Sequence, residues 1–396
     1  MTERRPQSAT LRWLALPGVG IRSFVREGMA AAVGRPRYAE VPAYAPSLRT
    51  VAEAALDRSF SRGMNLLTDL PHPVVLRRAR AETAEMAAFM ADGGYHADPA
   101  RYHRTPASPD GERRARARSW FAQPARYEVL SFASAYQPLA DEPGGARWLR
   151  HPTNHTVHAQ LFEHAGEPRP WVLCVHGFGM GTPLANFTVF SPQRLHIERG
   201  WNVVMPSLPL HGRRGVGRFS GREVLAPDYL RIVHLLTQGV WDVRRVVAWI
   251  RARGGKRIAL YGISLGAYVS ALVSALEDDL AGVIAGIPAV DFPALARDHE
   301  PRELRRYGTD ARIDWDHVRS ATRAVSPLAL PPRVPRERRF IFAGTADRVS
   351  RPDQARALWR HWDRCAIHWF AGGHVAAQWN PTIAPFVDAS LRTILA

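Results

Sequence analysis

Tyr261-Gly262-Ile263-Ser264-Leu265-Gly266-Ala267 sets a serine between glycines two residues to either side. An apolar run, Arg257-Ile258-Ala259-Leu260, leads into it, and a helix-like run, residues 268–276, leads out. That arrangement predicts a nucleophile elbow, a strand-to-helix turn that lifts a serine oxygen clear of a sheet. The turn is so sharp that its neighbours nearly touch, and only small residues fit at the flanking positions. The serine is then left at the positive end of the following helix.

A serine hydroxyl is a poor nucleophile at neutral pH and needs a base within hydrogen-bond reach. The candidate base is His374, in Gly372-Gly373-His374 just past the apolar run Ala366-Ile367-His368-Trp369-Phe370. Asp347 follows another such run, Arg339-Phe340-Ile341-Phe342-Ala343-Gly344, and is the candidate to hold the imidazole tautomer and stabilise its charged form. Asp291, after the apolar segment 282–287, competes for that role, but Gly344-Thr345-Ala346-Asp347 is preferred. Upstream, Trp171-Val172-Leu173-Cys174-Val175 runs into His176-Gly177-Phe178-Gly179-Met180-Gly181, where glycines allow backbone to approach a substrate closely.

These four motifs, in the chain order Ser264, Asp347, His374, resemble the α/β-hydrolase superfamily over about residues 127–396. The order differs from those of the chymotrypsin and subtilisin folds. The resemblance implies a mostly parallel eight-stranded α/β sheet with helices on both faces and a small cap inserted at about 291–338, all preceded by an N-terminal helical extension, residues 1–126. It also implies an oxyanion hole built from the N–H of Leu265 and that of Phe178 or Gly179. The function implied is serine hydrolysis of a carboxylic ester, a lipid or thioester included, without metal or organic cofactor. An acyltransferase on the same residues and a non-catalytic scaffold are the alternatives.

The loop Pro209-Leu210-His211-Gly212-Arg213-Arg214-Gly215 borders the entrance in relatives. His211, Arg213 and Arg214 are therefore candidate substrate contacts, the arginines suiting a phosphate or carboxylate. Solvated arginines in a glycine-rich loop are the plainer reading. His151, His155, His158 and His164 suggest a metal cluster, but strand alternation turns His158 away from His155 and no cysteine or carboxylate set accompanies them. Gly177-Phe178-Gly179 lacks the spacing of a dinucleotide fingerprint.

The elements that must position this chemistry are legible as patterns. Antiparallel strands are predicted at 127–135 and 156–162. A parallel series follows at 171–175, 202–205, 257–261, 282–287, 339–343 and 367–370, each mostly apolar, as strands covered on both faces require. Helices are predicted at 192–198, 225–252, 264–276, 354–361 and 383–395. In the extension, Ile21, Val25, Gly28, Met29 and Ala32 recur at helical spacing opposite Arg22, Arg26 and Glu27; residues 51–64 and 73–90 read as two further helices, the latter with the stripe Leu76, Ala79, Thr83, Met86 and Met90. Residues 99–118 read as a polar loop. A helical layer packed on the core or in a dimer is preferred over a lid or a membrane-touching basic surface, because the apolar stripe is weak.

The 396 residues carry a formal charge of +17 from 52 arginines and the single Lys256. The charge is spread through the chain, and no basic-aromatic module accompanies it, so no nucleic-acid partner is expected; the resemblance implies a small acyl ester as the partner. Arg4-Arg5 and the apolar stretch 11–16, broken by Arg12, make neither a signal peptide nor a twin-arginine signal. Cys174 and Cys365 fall on strands that the family's sheet order sets about 19 Å apart, beyond the roughly 7 Å a disulfide allows between α-carbons. Reduced, buried thiols fit a cytoplasmic protein.

Overall fold

The computed structural model describes residues 39–396 apart from 45–46, 68–71, 121–124, 218, 226–227, 301–303 and 305–311. The first predicted helix, the Arg4-Arg5 pair and the stretch 11–16 lie outside the described residues.

Among the described residues, nine strands form one sheet: β1 (Arg113–Ser119), β2 (Ala125–Ala133), β3 (Thr156–Phe162), β4 (Trp171–Val175), β5 (Asn202–Pro206), β6 (Ile258–Ile263), β7 (Gly282–Gly286), β8 (Arg339–Gly344) and β9 (Ala366–Phe370). Their spatial order is β1-β2-β3-β5-β4-β6-β7-β8-β9. The β1–β2, β2–β3 and β3–β5 pairs are antiparallel and the rest parallel. The sheet thus has nine strands where eight were expected. The addition is β1, in the segment read as a polar loop. Its Arg-Arg-Ala-Arg-Ala-Arg-Ser sequence hides no apolar face because it is an edge, where charge blocks pairing with another chain.

β4, β5, β6 and β7 are buried throughout, which explains their unbroken apolar sequences. Successive residues point to opposite faces. Leu173 and Val175 join a core with the helix α4 (Tyr229–Ala252), whereas Val172 and Cys174 join a second core with α3 (Pro183–Phe190) and α9 (Ile383–Leu395). Among the described residues, the other longer helices are α1 (Leu48–Leu67), α2 (Pro73–Asp92), α5 (Leu265–Ser274), α6 (Phe292–His299), α7 (Trp315–Thr322) and α8 (Pro352–His361), with a single helical turn at Gly145–Trp148. The sequence reading has no counterpart of α3, and its helix at 192–198 is a π-helical turn, Gln193–Glu198.

α2 begins at Pro73, whose missing N–H costs nothing in a first turn, and buries Leu76, Ala79, Thr83, Met86 and Met90. It packs on α7, within the segment expected as the cap, and on α4. α1 is turned the other way round. Its buried face holds Thr50, Glu53, Ala54 and Asp57, at the spacing of one helical face, while Leu48, Leu56 and Phe60 are exposed. Cys174 and Cys365 are free and buried, and burial pushes the Cys365 thiol up to about 12. Among the described residues, no helix is long and apolar enough to cross a membrane.

Candidate active site

β6 ends and α5 begins at Ser264, whose backbone takes φ 54° and ψ −115°. A side chain on Gly262 would set a Cβ 2.2 Å from the Gly266 carbonyl oxygen, and one on Gly266 would lie 1.9 Å from that of Val175. Both glycines are thus demanded by backbone crossing backbone. The Ser264 N–H donates to the Gly286 carbonyl of β7 (2.9 Å), which ties the elbow to the sheet.

The structure brings together three of the predicted residues from three strand ends. Ser264 Oγ lies 3.1 Å from His374 Nε2, and His374 Nδ1 lies 2.7 Å from Asp347 Oδ2. Asp347 is buried, and its other oxygen, Oδ1, accepts the N–H groups of Val349 and Ser350, both at 2.8 Å, so the carboxylate is fixed before it meets the imidazole. Burial pulls the His374 pKa down, but the charge and hydrogen bond of Asp347, with the charge of Asp57, more than offset it; the net shift is upward. Asp291, the competing acid, instead caps α6, accepting the Ala294 N–H at 3.0 Å.

The glycine loop after β4 lies beside the serine: a Cβ on Gly177 would stand 3.4 Å from Ser264 Cβ. Gly179 takes φ 77°, which suits glycine. Leu265 opens α5 with its N–H among the unpaired donors of a first turn. A buried polar web holds the loop from behind. The Gly181 carbonyl accepts Gln160 Nε2 and Ser207 Oγ, both at 3.2 Å, and its N–H donates to Asn186 Oδ1 at 3.1 Å. His176 accepts the Leu208 N–H on Nε2 at 2.9 Å, so the proton sits on Nδ1, facing the Gly177 carbonyl. Burial, with His211 and Arg214 nearby, lowers the His176 pKa to about 3 and keeps the ring neutral.

The loop after β5 corrects the expectation for two residues. Arg214 is fully buried and pairs with Asp242 of α4 at 2.7 Å while donating to the carbonyls of Ser207 and Asn154. It is a structural cation with no face toward a substrate. His211 is equally buried; its Nδ1–H donates to the Pro209 carbonyl at 2.8 Å and its ring stands edge-on to Phe178. It supports the glycine loop from beneath. Arg213 is exposed, and its charge is felt by Tyr127 and His158. The histidines 151, 155, 158 and 164 do not converge: His155 meets the Leu149 carbonyl, His158 meets Ser131, His164 meets the His196 carbonyl, and His151 lies against Trp148.

Two further carboxylates reach the site from α1, and the sequence reading had not singled them out. Asp57 accepts the backbone N–H groups of Arg348 (3.0 Å), His374 (2.7 Å) and Val375 (2.9 Å), and Glu53 accepts that of Gly373 (2.9 Å). Their four-residue spacing was the available signal, but acids so spaced on a helix ordinarily face water.

No family model matches the chain. Uncharacterized protein Rv2627c of Mycobacterium tuberculosis (strain ATCC 25618 / H37Rv) is 34% identical over 358 residues, 89% of this chain and 84% of its own length. Among solved structures, acetyl xylan esterase 1 from Thermoanaerobacterium sp. JW/SL YS485 is similar at 14% identity and TM-score 0.49, covering 76% of this chain and 92% of that one. Est1E from Butyrivibrio proteoclasticus with ferulic acid bound is similar at 17% identity and TM-score 0.44, covering 61% and 94%. The chain belongs to the family of the mycobacterial protein, and its sheet order and strand–elbow–helix geometry are those of the α/β-hydrolase fold.

Proposed function

We propose that the protein is a serine hydrolase that cleaves a carboxylic ester through an acyl-enzyme. The observation that carries this reading is the relay of Ser264, His374 and Asp347, with hydrogen-bond distances of 3.1 and 2.7 Å. His374 Nε2 takes the proton of Ser264 as its oxygen attacks the acyl carbonyl, and Asp347 stabilises the imidazolium formed. The negative oxygen of the tetrahedral intermediate meets the N–H of Leu265 and that of Phe178 or Gly179. His374 then protonates the departing alcohol. Water, deprotonated by the same imidazole, adds to the acyl-enzyme and releases the acid.

Replacing Ser264 by alanine is expected to abolish turnover of short p-nitrophenyl esters while the circular dichroism spectrum stays that of the wild type. Unchanged turnover would remove Ser264 from the mechanism. The same assay with an added alcohol or amine separates hydrolysis from acyl transfer, since a transferase forms the new ester or amide in preference to the acid.

A further inference from the structure

α1 carries its acids inward and its large apolar side chains outward, the reverse of what burial alone would select. Such an inversion needs a compensating interaction, because a buried carboxylate without donors is costly. The donors include backbone N–H groups of both loops that hold Asp347 and His374. Asp57 bridges the loops, taking Arg348 N–H from one and His374 and Val375 N–H from the other. Glu53 adds Gly373 N–H, and is itself held by Arg49 at 2.8 Å.

The glycines before the histidine fit the same contact. A Cβ on Gly372 would lie 2.7 Å from Glu53 Oε2, and one on Gly373 would lie 2.8 Å from Asp57 Oδ2. The Gly-Gly-His sequence therefore makes room for α1.

We propose that Asp57, supported by Glu53, is a positioning residue for the reaction: it clamps the loops after β8 and β9 so that the imidazole of His374 stays between Asp347 and Ser264. This rests on the hydrolase reading of that site. The clamp is electrostatic as well as steric. Among the described residues, the charged groups beside Asp57 include Asp347 and Arg348 on the loop after β8, His374 on the loop after β9, and Glu53, itself paired with Arg49, on its own helix. Burial, then repulsion from Asp347, push the Asp57 carboxyl up to about 6, against the pull of His374 and the N–H donors. Above that pH its negative charge adds to that of Asp347 in favouring protonated His374.

The test is the rate at which a fluorophosphonate labels Ser264 across pH, in the full chain and its Asp57→Asn, Asp57→Ala, Glu53→Gln and Glu53→Ala variants. The attack needs a neutral imidazole, so wild-type labelling falls on the acid side. Removing the Asp57 charge is expected to move that acid midpoint to lower pH, and the His374 imidazole titration followed by NMR moves with it. The plateau rate falls about 100-fold in Asp57→Ala, as expected when a reacting group is displaced. It falls less in Asp57→Asn, whose side-chain oxygen still accepts from the loop. Glu53→Gln keeps its acceptor and is expected to label faster than Glu53→Ala. Asp57→Asn is close to isosteric, so it keeps the test decisive should Asp57→Ala not fold. An unlabelled wild type overturns the hydrolase reading and this inference with it. A labelled wild type beside an Asp57→Asn protein of equal rate and equal pH midpoint overturns this inference alone.

Discussion

At Ser264 a positive φ is imposed on a residue that has a Cβ, and the strain is held by a backbone that cannot give. Gly262→Ala and Gly266→Ala each drive a methyl group into a main-chain oxygen. Each is expected to destabilise the fold by about 3 kcal/mol or more, read from urea unfolding. The sign of the His374 shift gives a second prediction. Its native pKa is raised, so the acid limb of kcat/KM is expected above pH 6.5, the ordinary histidine value. By linkage, the stability gained from protonated His374 is complete below the unfolded value and is lost as pH rises through the native one. A pH–rate profile checks the first statement and unfolding at several pH values the second. Ser264, Asp347 and His374 could be picked out in the sequence because each follows a strand within a few residues, with glycine or alanine close by. Arg214 could not: two arginines in a glycine-rich loop look solvated, and the partner that buries one of them is Asp242, in the middle of α4.

Among the elements, α4 does more than cover the sheet. Asp242 reaches Arg214 and accepts Ser134 Oγ at 2.5 Å, while Gln238 donates to the Asn154 carbonyl at 2.8 Å, so one helix fixes two loops. Asp242→Ala leaves a fully buried guanidinium without its counter-charge, and is expected to cost about 3–5 kcal/mol. The apolar pair Arg214→Met with Asp242→Leu is expected to cost less than the single change, a comparison that equilibrium unfolding makes directly. Periodicity exposed α2 and the parallel strands because their apolar residues face a core. It failed for β1, whose residues meet no core, and for the inward face of α1, whose acids answer to main-chain donors far along the chain.

For the whole molecule, the central strands separate two apolar cores, and the candidate site lies along the ends of β4, β6, β8 and β9. That layout was readable because parallel strands with helices on both faces impose apolar runs at regular intervals. The docking of α1 was not, since nothing local marks it. The Asp57 carboxylate meets the His374 N–H across a sequence separation of 317. A polypeptide emerging from the ribosome therefore makes this helix long before the loop it grips exists. In refolding from denaturant, reactivity of the serine is expected to return no earlier than hydrogen-exchange protection of α1, and a nascent chain stopped short of its last strand should be chemically silent.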